Sequence, residues 1–284
     1  MNLLQVILLS VFQPLSDLLP LDSHLPQRFF TDVLGWETGS ASLHATIKGA
    51  SLLGVLVFFR HDFLSILSSL LGVIAYRKKP MTIDERLPFF ILVCATLPIL
   101  TFTFAQKLWA ESNIPTWAHL ALSLSFVGLL SFSERMNRRS KAFYDWTLLE
   151  SVLMGVGLCL GALPGLGYLS MALLIAFLRN FNREAAAKFA FLILAPYLAF
   201  QALLYRSEID GTTPLITGGE QVLIEGLSLN HLGVALVFAT SLMTTLFCLS
   251  TWMKSVDRGA IRSVLILRVL LILAVPITAW MIRS

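Results

Sequence analysis

The sequence predicts an all-α integral membrane protein with six transmembrane helices plus two opposed re-entrant helix hairpins, arranged as an inverted-topology repeat. Three observations lead there. Long apolar blocks carry no formal charge, basic residues cluster in alternating loops, and two apolar stretches are broken by proline or glycine at corresponding places in the two halves. The chain has 284 residues, of which 56% are hydrophobic and 13% charged. Soluble domains carry about 25% charged residues, so this chain lacks the charge to cover a water-facing surface.

A helix needs about 17–25 apolar residues to cross ~30 Å of hydrocarbon. The predicted spans are 41–59, 87–105, 115–133, 188–205, 231–253 and 263–282. Basic residues orient them. Arg77, Lys78, Lys79 and Arg86 fall in one loop, Arg135, Arg138, Arg139 and Lys141 in a second, and Lys254, Arg258 and Arg262 in a third. The positive-inside rule places all three in the cytoplasm. The 206–230 loop is net acidic through Glu208, Asp210, Glu220 and Glu225, and belongs outside. Both termini then come out external. The stretch 62–75 is too short to span and lies between inner basic residues, so it reads as an interfacial helix.

Two apolar stretches remain. The first, 3–21, is interrupted by Pro14 and Pro20. The second, 151–178, is interrupted by Gly155, Gly157, Gly161, Pro164, Gly165 and Gly167. Each reads as a hairpin that returns to its side of entry, 1–34 from outside and 146–180 from inside. Irregular backbone at membrane depth is tolerated only where protein or a polar cavity satisfies it. The chain is thus a single polytopic domain, 1–284, with a first repeat over 1–145 and an inverted second repeat over 146–284. Inverted repeats with broken helices place a site where the breaks meet.

Several function classes are excluded. A net charge of +4 confined to short loops is topogenic and gives no nucleic-acid partner. Cys94, Cys159 and Cys248 are odd in number, lie in apolar segments and form no CxxC, so neither a disulfide framework nor a zinc site is expected. Met1 has no basic flank and no small-residue cleavage site follows, so no removable signal peptide is expected. No phosphate-binding loop is present, and Gly165-Leu166-Gly167 lacks the serine of a hydrolase elbow.

The chemistry-bearing residues sit at the breaks. The first carries Gln13, Ser16, Asp17, Asp22, Ser23 and His24, with Gln13 and Asp17 on one helical face. Carboxylates at membrane depth cost several kcal/mol unless hydrated or paired, so they mark a site or else cap short helices in water. The second break carries Gly165, Gly167, Tyr168 and Ser170. Glycines there either free backbone N–H groups for an anion or let helices pack closely. Lys48 lies within the first span, one turn after His44, and faces a cavity in preference to snorkelling outward. Arg268 in the last span reads as a structural pair or a backbone-carbonyl contact.

At these breaks the chain resembles the undecaprenyl-diphosphate phosphatase family, also called the bacitracin-resistance protein family. The similar stretches run in order through most of the chain: VFQPLSDLLP (11–20) with Ser23, 47–59, 150–170, NREAAAKFAFLILAP (182–196) and 266–268. The resemblance implies six spans with two opposed hairpins, a homodimer, and removal of the terminal phosphate from undecaprenyl diphosphate. It also implies a first motif of two glutamates, a serine-rich turn and a histidine, and a second motif with a serine and an arginine. Gln13 stands where the first glutamate belongs, and Asp17 keeps the second carboxylate on a shorter side chain. Asp22 and Ser23 stand for the serine pair, His24 follows, and Pro26 takes the histidine's place. Gly167 replaces the second-motif serine, Tyr168 the arginine, and Lys48 stands where glutamine is usual.

Asp17, Ser23 and His24 are therefore the candidate catalytic residues. Gln13, Asp22, Lys48, Gly165, Gly167, Tyr168 and Ser170 are the candidate substrate-binding residues. Asp17 and Asp22 would hold one hard cation, Mg²⁺ or Ca²⁺, only with help from a diphosphate. The expected function is binding, transport or sensing of a polyprenyl phosphate or diphosphate carrier lipid in a bacterial inner membrane, with catalysis impaired. The alternatives are an active phosphatase with a rearranged site, and a structural membrane partner with no lipid substrate.

Overall fold

The computed structural model describes residues 3–21, 29–36, 41–76, 82–111, 116–161, 163, 165–207, 229–256, 261, 263–270 and 272–273. They are helical, with no strand among the described residues beyond an isolated bridge between Lys141 and Phe181. In order the helices are α1 (Leu3–Leu18), α2 (Ala41–Phe58), α3 (Arg60–Tyr76), α4 (Ile83–Glu111), α5 (Thr116–Met136), α6 (Leu148–Gly161), α7 (Tyr168–Leu178), α8 (Arg183–Ser207) and α9 (Leu229–Ser255). Residues 263–270 form a further helical stretch, α10. A π-helical turn, Phe29–Val33, and a 3₁₀ turn, Phe143–Asp145, complete the elements.

The segments 41–58, 183–206 and 233–255 are long and apolar enough to cross a membrane. The segments 87–105 and 115–133 fall on α4 and α5, the latter beginning just outside the described residues, and the described part of 263–282 is helical. The stretch 62–75 is indeed a helix, α3, with Leu64, Leu67, Leu71 and Ile74 exposed along it.

The first break falls at Pro20 and not at Pro14. α1 runs through Pro14 and stops at Leu18. Proline removes one intrahelical N–H, which neighbouring helices can compensate, and α1 packs on α2 and α9 along its length. Ser10 shares a 2.6 Å hydrogen bond with Thr240, and the Ser241 hydroxyl donates to the Ser10 carbonyl at 3.0 Å. The described return limb is the short π turn rather than an α-helix. The second break is a helix–turn–helix in which α6 and α7 pack together. Its corner bears Gly165 at φ 93° and Gly167 at φ 78°, the left-handed region that glycine adopts freely. A β-carbon on Gly165 would sit 3.0 Å from the Ser123 nitrogen and 3.1 Å from the His119 carbonyl oxygen, so the corner is pressed onto α5. Along the hairpin a β-carbon at Gly157 would collide with Ile175. These glycines therefore serve close packing.

α8 is the central helix. Its residues Ala185, Ala186 and Ala187 are small enough to admit neighbours, and Phe189, Phe191 and Leu192 are fully buried. Trp146 lies flat between Phe181 and Phe189, with ring centroids 4.1 and 3.7 Å away. The same end of the bundle is stapled by charge. Arg183 pairs with Glu134, both buried. Glu150 takes Lys141 at 2.6 Å and Arg179 at 2.9 Å, and Thr147 and Glu150 form a reciprocal cap at the start of α6. The Asn137 side chain donates to the Phe181 carbonyl at 2.7 Å. The stretch 182–196 thus begins as a clamp between the two halves of the chain.

Breaking a buried ion pair costs about 3–5 kcal/mol, whereas replacing both partners by apolar groups is often near neutral. Glu134→Gln should accordingly lower the unfolding temperature in detergent sharply, and Glu134→Leu combined with Arg183→Met should recover most of the loss.

Candidate functional site

The site begins with two helix faces. On α1, Asp17 lies one turn beyond Gln13, and the Ser16 hydroxyl donates to the Gln13 carbonyl at 2.8 Å. On α2, Lys48 and Ser51 are buried, and His44, half-buried, lies one turn before Lys48. The Lys48 ammonium donates to Asp17 Oδ2 at 2.6 Å, with side chains only 5% and 6% exposed. Lys48 therefore neither snorkels nor stands free. Its charge is spent on the carboxylate that the first break carries. Ser51 lies 3.5 Å from the Thr245 hydroxyl on α9, and the His44 ring is 5.3 Å from that of Tyr205 on α8.

The two breaks meet. The Ser170 hydroxyl donates to the Leu21 carbonyl at 3.3 Å, joining the start of α7 to the end of the first break. Arg268 on α10 completes the junction. Its guanidinium donates to the Pro20 carbonyl at 3.1 Å, Ser170 Oγ at 3.0 Å, Ser123 Oγ at 3.1 and 3.2 Å, and the Gly165 and Leu166 carbonyls. The Phe126 ring lies 5.3 Å from the charge, and the side chain is 0% exposed. Arg268 is thus a backbone-carbonyl contact, as its sequence context suggests, but one that holds three separate segments.

Tyr168, first residue of α7, turns toward α8. Its ring lies 4.0 Å from that of Tyr197. The Gln201 amide nitrogen donates to the Tyr197 hydroxyl at 2.6 Å. Tyr197 and Gln201 are buried.

The predicted residues thus divide. Asp17 and Lys48 touch, with Gln13 one turn away. Gly165 and Ser170 join Pro20 and Leu21 through Arg268, and Gly167 caps the helix that presents Tyr168. Asp22, Ser23 and His24 lie outside the described residues. Ser123, Tyr197 and Gln201 were not singled out from sequence. A tyrosine and a glutamine four apart on an otherwise apolar helix carry a legible signal, one polar face at membrane depth.

The described donors do not fit a divalent cation. The Asp17 carboxylate is held by an ammonium, and no group of three or more His, Cys, Asp or Glu side chains gathers among the described residues. Chemically the arrangement offers a neutralised ion pair beside buried hydroxyl and amide groups.

Comparison with known proteins agrees with the resemblance. The family profile of the bacitracin resistance protein BacA matches residues 6–274. An undecaprenyl-diphosphatase of Chlorobaculum parvum (strain DSM 263 / NCIMB 8327) is 29% identical over 248 residues, 84% of this chain and 84% of the relative. Undecaprenyl-diphosphatase 2 of Corynebacterium jeikeium (strain K411) is 30% identical over 204 residues, 68% of this chain and 70% of the relative.

Removing Arg268 leaves several buried acceptors unmet, at about 1–3 kcal/mol each. Arg268→Ala should therefore destabilise the protein far more than Ser123→Ala, and thermal unfolding of the two variants in one detergent measures the order. Equal effects would mean that the guanidinium does not hold the breaks together.

Proposed function

The chain belongs to the bacitracin resistance protein BacA family, and from that premise we propose that it handles a polyprenyl carrier lipid, in its phosphate or diphosphate form, by binding or transport with catalysis impaired. The proposed setting is a bacterial inner membrane, crossed six times, with both termini outside, two opposed re-entrant hairpins in an inverted repeat, and two copies forming a homodimer. The relatives' printed names support the lipid class. The meeting of the two breaks at Arg268 supports a shared site between the repeats. A cleft of about 370 Å³ between α5 and α10, lined by Val127, Leu265, Ile266, Val269 and Leu270 together with Ser131, Glu134 and Arg135, offers a mostly apolar wall to a hydrocarbon tail.

The observation that carries the loss of catalysis is the 2.6 Å bond from Lys48 to Asp17. A general base must be free to take a proton, and a phosphate clamp must be free to meet the phosphate. Here the carboxylate and the ammonium answer each other. Gln13, one turn away, has an amide that cannot act as a base, and Tyr168 presents a phenol where a cation would be needed. Loss of a proton-transfer group or of an electrostatic clamp is commonly worth about 10²–10⁴-fold each. A second reading, an active undecaprenyl-diphosphatase with a rearranged site, is favoured by the names of the relatives. In it a substrate diphosphate would draw Lys48 away from Asp17 and release the carboxylate.

Phosphate release from undecaprenyl or farnesyl diphosphate, with and without Mg²⁺ or Ca²⁺, separates the two. The proposal expects retained lipid binding with turnover at least about 10²-fold below that of the Chlorobaculum relative, unchanged by either ion. Robust turnover that disappears in Asp17→Asn or Lys48→Ala would establish the second reading and end the first.

A further inference from the structure

We propose that the cleft between α5 and α10 is a second lipid site, which holds a prenyl phosphate of the inner leaflet with its phosphate on Arg135 and its chain running inward toward the breaks. The inference rests on the reading above that the ligand is a prenyl phosphate, and adds a place where its head is held apart from the breaks.

On α5, Val127, Ser131 and Arg135 stand four positions apart, on one face of the helix, and all three line the cleft. That face passes from apolar to hydroxyl to cation within about two turns. Opposite it α10 contributes Leu265, Ile266 and Leu270. The polar end is the mouth, since Arg135 is exposed and lies in the last turn of α5. The deep end adjoins the junction of the breaks. Phe126, next to Val127, has its ring 5.3 Å from the Arg268 charge, and Arg268 lies between Ile266 and Leu270 along α10. A chain with its head at Arg135 therefore points its tail at the membrane midplane, the orientation a lipid of that leaflet already has, and ends beside the proposed site.

Charge says which head the mouth takes. Glu134, the acidic residue in the cleft wall, is already paired with Arg183. Arg135, Arg138 and Arg139 are exposed, and among the described residues none of the three forms an ion pair. They belong to the loop that the proposed topology places in the cytoplasm. A guanidinium grips two phosphate oxygens at once, so a cluster of three is built for an anion rather than for a neutral alcohol. A terminal phosphate carries between one and two negative charges at neutral pH. The phosphodiester of an ordinary phospholipid carries one, and brings two chains to a cleft between a single pair of helices. A prenyl phosphate matches both the charge and the single chain.

The test is photolabelling of the purified full chain in phosphatidylcholine nanodiscs. The probe is a farnesyl monophosphate analogue with a diazirine in its first prenyl unit, and melting temperatures control for folding. Saturable label should fall on residues 131–135 or 265–270. Arg135→Glu should lower that label about tenfold or more at limiting probe, while any label at 13–21 or 165–170 persists. Val127→Trp, which fills the deep end, should lower it as well. Farnesyl monophosphate should compete, whereas farnesol and phosphatidylglycerol at equal mole fraction should not.

Label confined to the breaks would overturn this inference and leave the carrier-lipid reading intact. So would undiminished label at 131–135 and 265–270 in folded Arg135→Glu, or phosphatidylglycerol competing as well as the prenyl ester, which would make the cleft a groove for ordinary anionic phospholipid. If no saturable label appears anywhere, both readings fall. Arg135→Glu decides the matter if Val127→Trp does not fold.

Discussion

A guanidinium with no exposed surface must be given acceptors from every side, and meeting that demand at Arg268 is what shapes the rest of the molecule. The hydrocarbon of a bilayer offers none, so the protein supplies its own carbonyls and hydroxyls. Regular helix cannot supply them, because its carbonyls are already used. Only where α1 has ended and where α6 gives way to α7 are main-chain oxygens released, and these are the oxygens Arg268 takes. The two irregular segments and the charge require each other. Each alone would be costly at this depth, and together they are satisfied.

The second buried charge is handled differently. Lys48 faces a carboxylate rather than carbonyls, so the pair adds no net charge to the bundle. Such a pair is held by geometry rather than by large net stability, since desolvation offsets much of the Coulomb gain. Around it the polar groups are hydroxyls and amides from α8 and α9, arranged by a helical repeat of four. The result is a paired charge set among directional hydrogen bonds.

Much of the fold was legible because the bilayer restricts the alternatives. Apolar blocks of sufficient length gave α2, α8 and α9, and the glycine corner at 165–167 lies where its composition placed it. The position of the first break was less legible. Pro14 signals an interruption locally, but packing on α2 and α9 carries the helix on to Leu18. At the site, the approach of Lys48 to Asp17 was not readable, since 31 positions separate them and either could have faced a cavity. Arg268 suggested carbonyl contacts, yet nothing in its own segment says which carbonyls. Tyr197 and Gln201 are legible as a polar pair four apart, but nothing in α8 itself says that Tyr168 packs against the first of them. The Glu134–Arg183 pair lay inside a stretch whose similarity was noted and whose purpose, stapling the halves, emerges only in three dimensions.

The hydrogen bond from Arg268 to the Pro20 carbonyl joins positions 248 apart in the chain. The neighbouring Leu21 carbonyl takes its partner, Ser170, from only 149 positions away. Two adjacent oxygens of one break thus depend on contacts of very different reach, and the one made by Arg268 carries the greater loop-closure cost and cannot form before α10 exists.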